Sequence, residues 1–364
     1  MKAKITIVLN ALLAAVVAQG IGLPELPVRD DADVMGYVHD GIRGVAGVLV
    51  SDGYDFSCTD ENGAYYLSAN PAALMVYAVL PSGYEFSSVS DGVPAFFKAL
   101  NRGGEVTRAD FALNPIGDDD SFSFLVHADT QPEPYFNMQV YSDMGKAYME
   151  MARQAAVIAG DEGFMPFNLH LGDIVYNNNS AKGYGAYFSC LPTFATPGNH
   201  DRLYILDYEK SLELYRGSWG PERYSFNRGK VHFISLDNVA INKEDAFGRG
   251  IRPEALEWLK QDLSYVEKGS RVVFFTHRPM TQNASALKAY SAALDVLKDY
   301  EVLILSGHVH RSFTNYEEYA PSVRERSQVP LGGFIWRGPC TQDGVPQGYY
   351  IYHVDGTDIS WKFK

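Results

Sequence analysis

Cysteine is scarce in this chain: Cys58, Cys190 and Cys340 are the only three in 364 residues. They are far apart and odd in number, which excludes a disulfide framework, and the expectation is three small buried side chains. Basic residues are also in short supply, 31 against 44 acidic ones, for a formal charge of -13. Binding a nucleic-acid backbone needs a concentrated basic face, and none is visible, so no nucleic-acid-binding surface is expected. Beyond the first twenty residues no stretch is long and apolar enough for a transmembrane helix. There is no internal repeat and no low-complexity tract.

The N-terminus does carry an apolar run. Lys2 and Lys4 precede Ile5 to Ala18, interrupted only by Thr6 and Asn10, and small residues follow around Ala18 and Gly20. This is the charge, core and cleavage pattern of a signal peptide over residues 1–20, too short for a permanent anchor. The expected location is therefore periplasmic or extracellular, and no cysteine lies near the cleavage region to carry a lipid. Removing these residues deletes two lysines and no acid, which takes the charge from -13 to -15, 29 basic against 44 acidic side chains.

A hydrophobic content of 46% in a chain of this length allows more than one buried core. Residues 30–115 lack helical periodicity and alternate short apolar runs with Gly, Asp, Asn and Pro turns, which predicts a small β-sandwich. Strands are expected at Val34 to Val38, Val45 to Val50, Tyr65 to Leu67, Leu74 to Leu80 and Thr107 to Leu113. The acids of Asp60-Glu61-Asn62-Gly63 lack the alternating spacing of a calcium loop and predict a hairpin turn. Pro115 to Asp120 is the best domain boundary. Residues 120–318 then alternate strand and helix patterns, an α/β core. Helices are expected over about 139–159, 181–190, 204–215, 253–266 and 284–298. From 319 to 364 the strand pattern returns, as a C-terminal β-rich accessory region.

Five polar clusters punctuate the α/β core: His127-Ala128-Asp129-Thr130-Gln131, Leu171-Gly172-Asp173, Gly198-Asn199-His200-Asp201, Thr276-His277-Arg278-Pro279 and Gly307-His308-Val309-His310. Each follows a short β-branched or aromatic run, so each is placed just past a strand's carboxyl end, where open α/β sheets gather ligands. One Gly-Asp or Gly-Asn-His is ordinary turn chemistry. Five in this order resemble the calcineurin-like metallophosphoesterase family, whose pattern is Asp-x-His, Gly-Asp, Gly-Asn-His-Asp/Glu, a single His and Gly-His-x-His. The likeness spans about 120 to 316. The Gly47 to Tyr65 run also resembles a carboxypeptidase-regulatory-like module. With Trp336-Arg337-Gly338 and the Asp343 to Tyr349 run, it makes the flanks resemble the accessory domains of exported bacterial members.

The resemblance implies a two-sheet sandwich flanked by helices and two metal ions, Mn, Fe or Zn, at one edge. Two cations close together need a shared anion, and Asp173 is the natural bridge. Asp129 and His310 complete the first metal; Asn199, His277 and His308 hold the second. His200, steadied by Asp201, is placed to protonate the leaving alkoxide, and Arg202, Arg278 and Arg311 are candidate phosphate clamps. The implied reaction is hydrolysis of a small phosphate ester through a metal-bridging hydroxide. Alternatives are a phosphodiesterase acting on nucleotides or glycerophosphodiesters, or an exported binding protein with an impaired site. Two positions bear on this choice. Gln131 stands where the family has histidine, and Tyr176 matches the tyrosine ligand of purple acid phosphatases; each is a candidate ligand or a neighbour of one. His127 and His170 are expected to be buried supports.

Overall fold

The structure, a computed structural model, describes residues 22–87, 89–90, 92–131, 167–175, 191–205, 207–241, 248–314, 319–332, 340 and 344–364. The leader over 1–20, the expected helices over 139–159 and 181–190, Tyr176, Cys190 and Trp336-Arg337-Gly338 lie outside these residues. The chain divides into two compact units, one of Met1–Ser88 with Ala95–Gly117, the other of Val89–Pro94 with Asp118–Lys364.

The first unit contains Val34–His39 (β1), Leu49–Ser51 (β2), Phe56–Cys58 (β3), Ala64–Leu67 (β4), Met75–Ala78 (β5) and Tyr84–Phe86 (β6). Val89–Ser90 (β7) and Val93–Pro94 (β8) form a two-stranded ribbon that belongs to the second unit. The chain then returns to the first unit with Phe97–Ala99 (β9), Thr107–Arg108 (β10) and Phe111–Pro115 (β11). One sheet runs β10-β1-β11-β6 with β4 also on β1, and a second runs β3-β2-β5-β9. The acidic segment at 60–63 is a turn: Asp60 Oδ1 accepts the backbone N–H of Asn62 and of Ala64, and Gly63 has φ 76°. Cys58, expected to be buried, is exposed, because β3 is an edge strand with little covering it.

In the second unit the strands are Ser121–His127 (β12), Phe167–His170 (β13), Thr193–Ala195 (β14), Arg223–Arg228 (β15), Val231–Leu236 (β16), Val239–Ala240 (β17) and Gly248–Arg249 (β18). Arg271–Phe275 (β19), Glu301–Ser306 (β20), Phe313–Thr314 (β21), Val323–Ser327 (β22), Tyr350–Asp355 (β23) and Asp358–Phe363 (β24) follow. Two sheets dominate, β14-β13-β12-β23-β24 and β15-β16-β19-β20-β22-β21. Their central strands are parallel. Strands covered on both faces need continuous apolar runs rather than alternation. Val272 to Phe275 and Val302 to Leu305 are such runs, and all eight residues are buried.

Rings from both sheets meet between the layers. Phe124 and Phe167 stack at 5.5 Å, Phe233 meets Phe124 edge-on at 5.4 Å, and Phe194 stacks on Phe226 at 4.1 Å. Burying each such ring contributes about 1.5–3 kcal/mol, and favourable ring pairs add roughly 1 kcal/mol. The fold is thus an α/β two-sheet sandwich with a β-rich N-terminal unit.

Four helices are described. Pro253–Ser264 (α3) starts with Pro at its first turn and buries Ala255, Trp258, Leu259 and Leu263 along one face. Ala284–Leu297 (α4) is capped by Asn283, whose side chain accepts from Ala286 N at 3.0 Å. The single helix expected over 204–215 is instead two short ones, Tyr208–Ser211 (α1) and Glu213–Trp219 (α2), because Asp207 caps the first and Leu212 breaks between them. Residues 319–364, expected as an accessory region, instead supply strands to both main sheets: β22 lies along β20, and β23 along β12 over Ser121 to Val126.

Candidate metal centre

The five clusters follow the carboxyl ends of β12, β13, β14, β19 and β20, so parallel pairing brings residues separated by up to 181 positions to one edge. Two groups of potential ligand atoms lie there, each within 4.8 Å: Asp129, Asp173 and His310, and Asp173, His277 and His308. Asp173 is common to both. Asn199 Oδ1 joins the second group at 3.1 Å from His277 Nε2.

The backbone at these positions is unusual. Asp129, Gln131, Asp173, His308 and His310 have φ between 32° and 69°, and they are the non-glycine residues with positive φ among those described. This left-handed region costs an ordinary side chain free energy, and its clustering marks a site that the fold holds against local preference. The loops hold one another in this shape: Asp129 N donates to Gly172 O, Gln131 N to Asp173 O and Gly307 N to His277 O. Glycine is required where they cross. A Cβ on Gly307 would stand 2.6 Å from Asp129 Oδ2, and one on Gly172 2.7 Å from His277 Nδ1.

The donor set fits divalent cations. His277 Nδ1 donates to Leu171 O at 2.8 Å, which leaves Nε2 free to ligate; that nitrogen lies 3.1 Å from His308 Nδ1 and 3.3 Å from Asp173 Oδ1. His310 Nε2 lies 3.3 Å from Asp129 Oδ1. Donors at right angles around an ion with bonds of 2.0–2.2 Å are about 3 Å apart, so these spacings suit shared coordination. Without cations the same atoms must pair with each other. Burial alone would raise the Asp173 carboxyl and lower the His277 imidazole. Their mutual attraction prevails, holding Asp173 far below the usual carboxylate range and pushing His277 up to about 9. Burial depresses His308 well below its ordinary value, assisted by His277 and Arg278.

The remaining predicted residues divide. His200 is half-buried, and its backbone N–H donates to Asp173 Oδ1 at 2.9 Å. Asp201 was expected to steady the His200 imidazole; its two oxygens accept the N–H groups of Val175 and Gly198, clamping one site loop to the next. Burial, then the Asp173 charge, push this carboxyl up to about 6. Gln131 is fully buried, its Nε2 donates to Asp173 Oδ2 at 2.9 Å, and its Oε1 has no hydrogen-bond partner among the described residues. Arg202 is not available as a phosphate clamp. It is fully buried, ion-paired with Asp237 and bonded to Ser211, so its charge is committed inside the protein. Arg278 and Arg311 are half-buried. His127 and His170 sit behind the site with rings 4.5 Å apart, and burial takes His127 down to about 3, so it stays neutral. His170 Nε2 is 3.2 Å from Thr130 Oγ1, which donates to Ile174 O.

Sequence reasoning missed Asp237, Asn238 and Glu325. Asn238 bonds both the N–H and the C=O of Arg278, fixing the loop that carries His277. Glu325, fully buried, accepts from Met280 N, Thr281 N, Thr281 Oγ1 and Ser306 Oγ. Neither occurs in a polar cluster of the five, and the one available signal was a carboxylate in an otherwise strand-like segment.

Fold and site together define a class, the metallophosphoesterase sandwich with metal-ligand loops at one edge. Residues 140–312 match the family model described as calcineurin-like phosphoesterase, and residues 32–116 match the N terminal of calcineurin-like phosphoesterase. The two matches support that family and make the chain a hydrolase of phosphate ester bonds. The catalytic match includes Asp173, Asn199, His200, His277, His308 and His310 and begins after Asp129. No curated protein gives a significant match to the sequence. Among solved structures, a dimetal phosphatase from Danio rerio is 15% identical with TM-score 0.45, covering 66% of this chain and 95% of its own. Purple acid phosphatase PPD1 from yellow lupin is 11% identical with TM-score 0.48, covering 87% and 67%. The 5'-nucleotidase from Candida albicans is 12% identical with TM-score 0.41, covering 68% and 52%.

Proposed function

We propose that this hydrolase acts on a small phosphate ester, with two divalent cations as cofactors held by Asp129, Asp173 and His310 on one side and by Asp173, Asn199, His277 and His308 on the other. The observation that carries this reading is the pair of ligand groups sharing one buried carboxylate. When bound, such cations supply a water ionised near neutral pH and offset charge on the phosphoryl oxygens.

The chain's own residues do the rest. Arg278 and Arg311 offer guanidinium groups to the phosphate oxygens, a match for bidentate hydrogen bonding. His200 gives its imidazole proton to the departing alkoxide oxygen. Gln131, through its amide N–H, fixes the orientation of the Asp173 carboxylate. The experiment is a comparison of leaving groups. His200→Ala is expected to lower turnover of alkyl phosphates roughly 10²- to 10⁴-fold and that of a nitrophenyl ester much less, because nitrophenolate leaves without a proton. Equal losses on both substrates would contradict the assignment of His200. We also infer export, supported by Lys2, Lys4 and the Ile5 to Ala18 run, and no helix among the described residues is long and apolar enough to cross a membrane. N-terminal sequencing of the protein recovered from cells should begin after about residue 20; retention of Met1 would contradict export by this route.

A further inference from the structure

Strand β24 is the last strand of its sheet, and among the described residues only β23 pairs with it. Its side chains alternate, with Asp358, Ser360 and Lys362 on one face and Ile359, Trp361 and Phe363 on the other. The second set stands opposite Val354, Tyr352 and Tyr350, all buried, so it occupies the inner face of the sheet. Yet Trp361 is 45% exposed and Phe363 36%. Arg326 lies over the Trp361 ring at 4.1 Å and over Tyr350 at 5.4 Å, which holds the indole in place although one side faces solvent.

The backbone of β24 is equally unfinished. Lys364 and Tyr349 exchange both of their N–H to O=C bonds, at 2.9 and 3.0 Å. By antiparallel alternation Asp358, Ser360 and Lys362 also turn their N–H and C=O groups toward β23, while Ile359, Trp361 and Phe363 turn theirs outward. Edge strands in native proteins are ordinarily blunted by Pro, a bulge, a cover or charged side chains. β24 has no Pro, keeps unbroken register over all six residues, and its charges, Asp358 and Lys362, are of opposite sign, so they repel a strand in most registers but can match one.

We propose that this edge receives a second copy of the chain, β24 pairing antiparallel with its counterpart about a two-fold axis at Ser360. In that register Asp358 faces Lys362 of the partner subunit, and the symmetry repeats the pair. Ile359 faces Trp361 of the partner subunit, and the outward backbone groups of both residues close the ladder. The charge pattern selects this occupant: the strand carries its own complement, whereas a parallel copy would set Asp358 against its own kind. A net charge of -13 makes copies repel elsewhere, so the two local opposite-charge pairs also set the orientation. One strand pair is a small interface, so association is weak and concentration dependent.

The test is sedimentation of the full chain over a range of concentrations. A dimer is expected for the native sequence, weakened roughly tenfold or more by Asp358→Lys or by Lys362→Asp, each of which sets like charges opposite each other. The double variant Asp358→Lys with Lys362→Asp should restore the dimer, and so should mixing the two single variants, whose strands become complementary. These side chains are exposed, and a melting curve for each variant confirms folding. A monomer at every concentration would overturn the proposal, as would a dimer indifferent to both reversals.

Discussion

At the residue scale the site depends on how one carboxylate is shared. Asp173 is buried, accepts the His200 N–H, receives the Gln131 amide and reaches both histidine groups. Asp173→Asn removes the charge that both cations would share, so metal content should fall from near two per chain to one or fewer, with activity lost at least about 10³-fold. Elemental analysis of the purified variant checks this. Gln131→His tests the departure from the family pattern: if the buried pocket accepts the ring, affinity for the first metal should rise by about tenfold or more in a metal titration. The aspartates and histidines of the candidate site were legible in the sequence because each follows an apolar strand run, and three of the five clusters, at Gly172, Gly198 and Gly307, are also marked by glycine. The fate of Arg202 was not. Its neighbours in sequence suggested phosphate, but Asp237, at the end of β16 on the other sheet, claims its charge, and such pairing is invisible before the strands are assembled.

At the scale of elements the histidine loops are held from behind. Glu325 on β22 accepts four donors from the 280–281 turn and the end of β20, and burial raises its carboxyl. Glu325→Ala would strand those donors and should cost roughly 3–5 kcal/mol, measured by denaturant unfolding, with weaker second-metal binding. Strand β22 lies where the sequence pattern predicted strands, but the burial of Glu325 was not legible, since the alternating Val323-Arg324-Glu325-Arg326-Ser327 looks solvent-facing although Glu325 is at the core. The Glu222 carboxyl provides a pH dependence. Burial would raise it, but Arg216 and Arg223 hold it down to about 2, against 4.5 for the free side chain. The folded state therefore binds the proton less readily than the unfolded one. The stabilisation is complete above pH 4.5 and disappears as pH falls toward 2, on the order of 3 kcal/mol in all. Glu222→Gln should flatten the stability curve in that window, measured by chemical unfolding at successive pH values.

At the scale of the molecule, chain order and structural unit part company. The sequence signalled a boundary at Pro115 to Asp120 through its turn-prone composition, and the two compact units divide at Gly117 and Asp118. It gave no sign that Val89–Pro94, lying within the first unit's stretch of chain, belongs to the second. There Gly92 O accepts from Thr193 N at 2.7 Å, and Val93 packs on the cluster of Ile174, Val175, Ala195, Leu212, Tyr215 and Trp219. A strand of two residues has too little pattern to be read locally; only its long-range partner identifies it. Val93→Asp should destabilise the protein by about 1–3 kcal/mol, seen as a lower melting temperature, by setting a charge against that apolar cluster.

The central claim is that Asp129, Asp173, Asn199, His277, His308 and His310 form one two-ion centre for phosphoester hydrolysis. Its most direct test is metal stoichiometry measured together with phosphate release from a small ester, before and after chelation. The account predicts close to two ions per chain, activity lost on chelation and restored by one of Mn, Fe or Zn. Full activity in the stripped protein would contradict it.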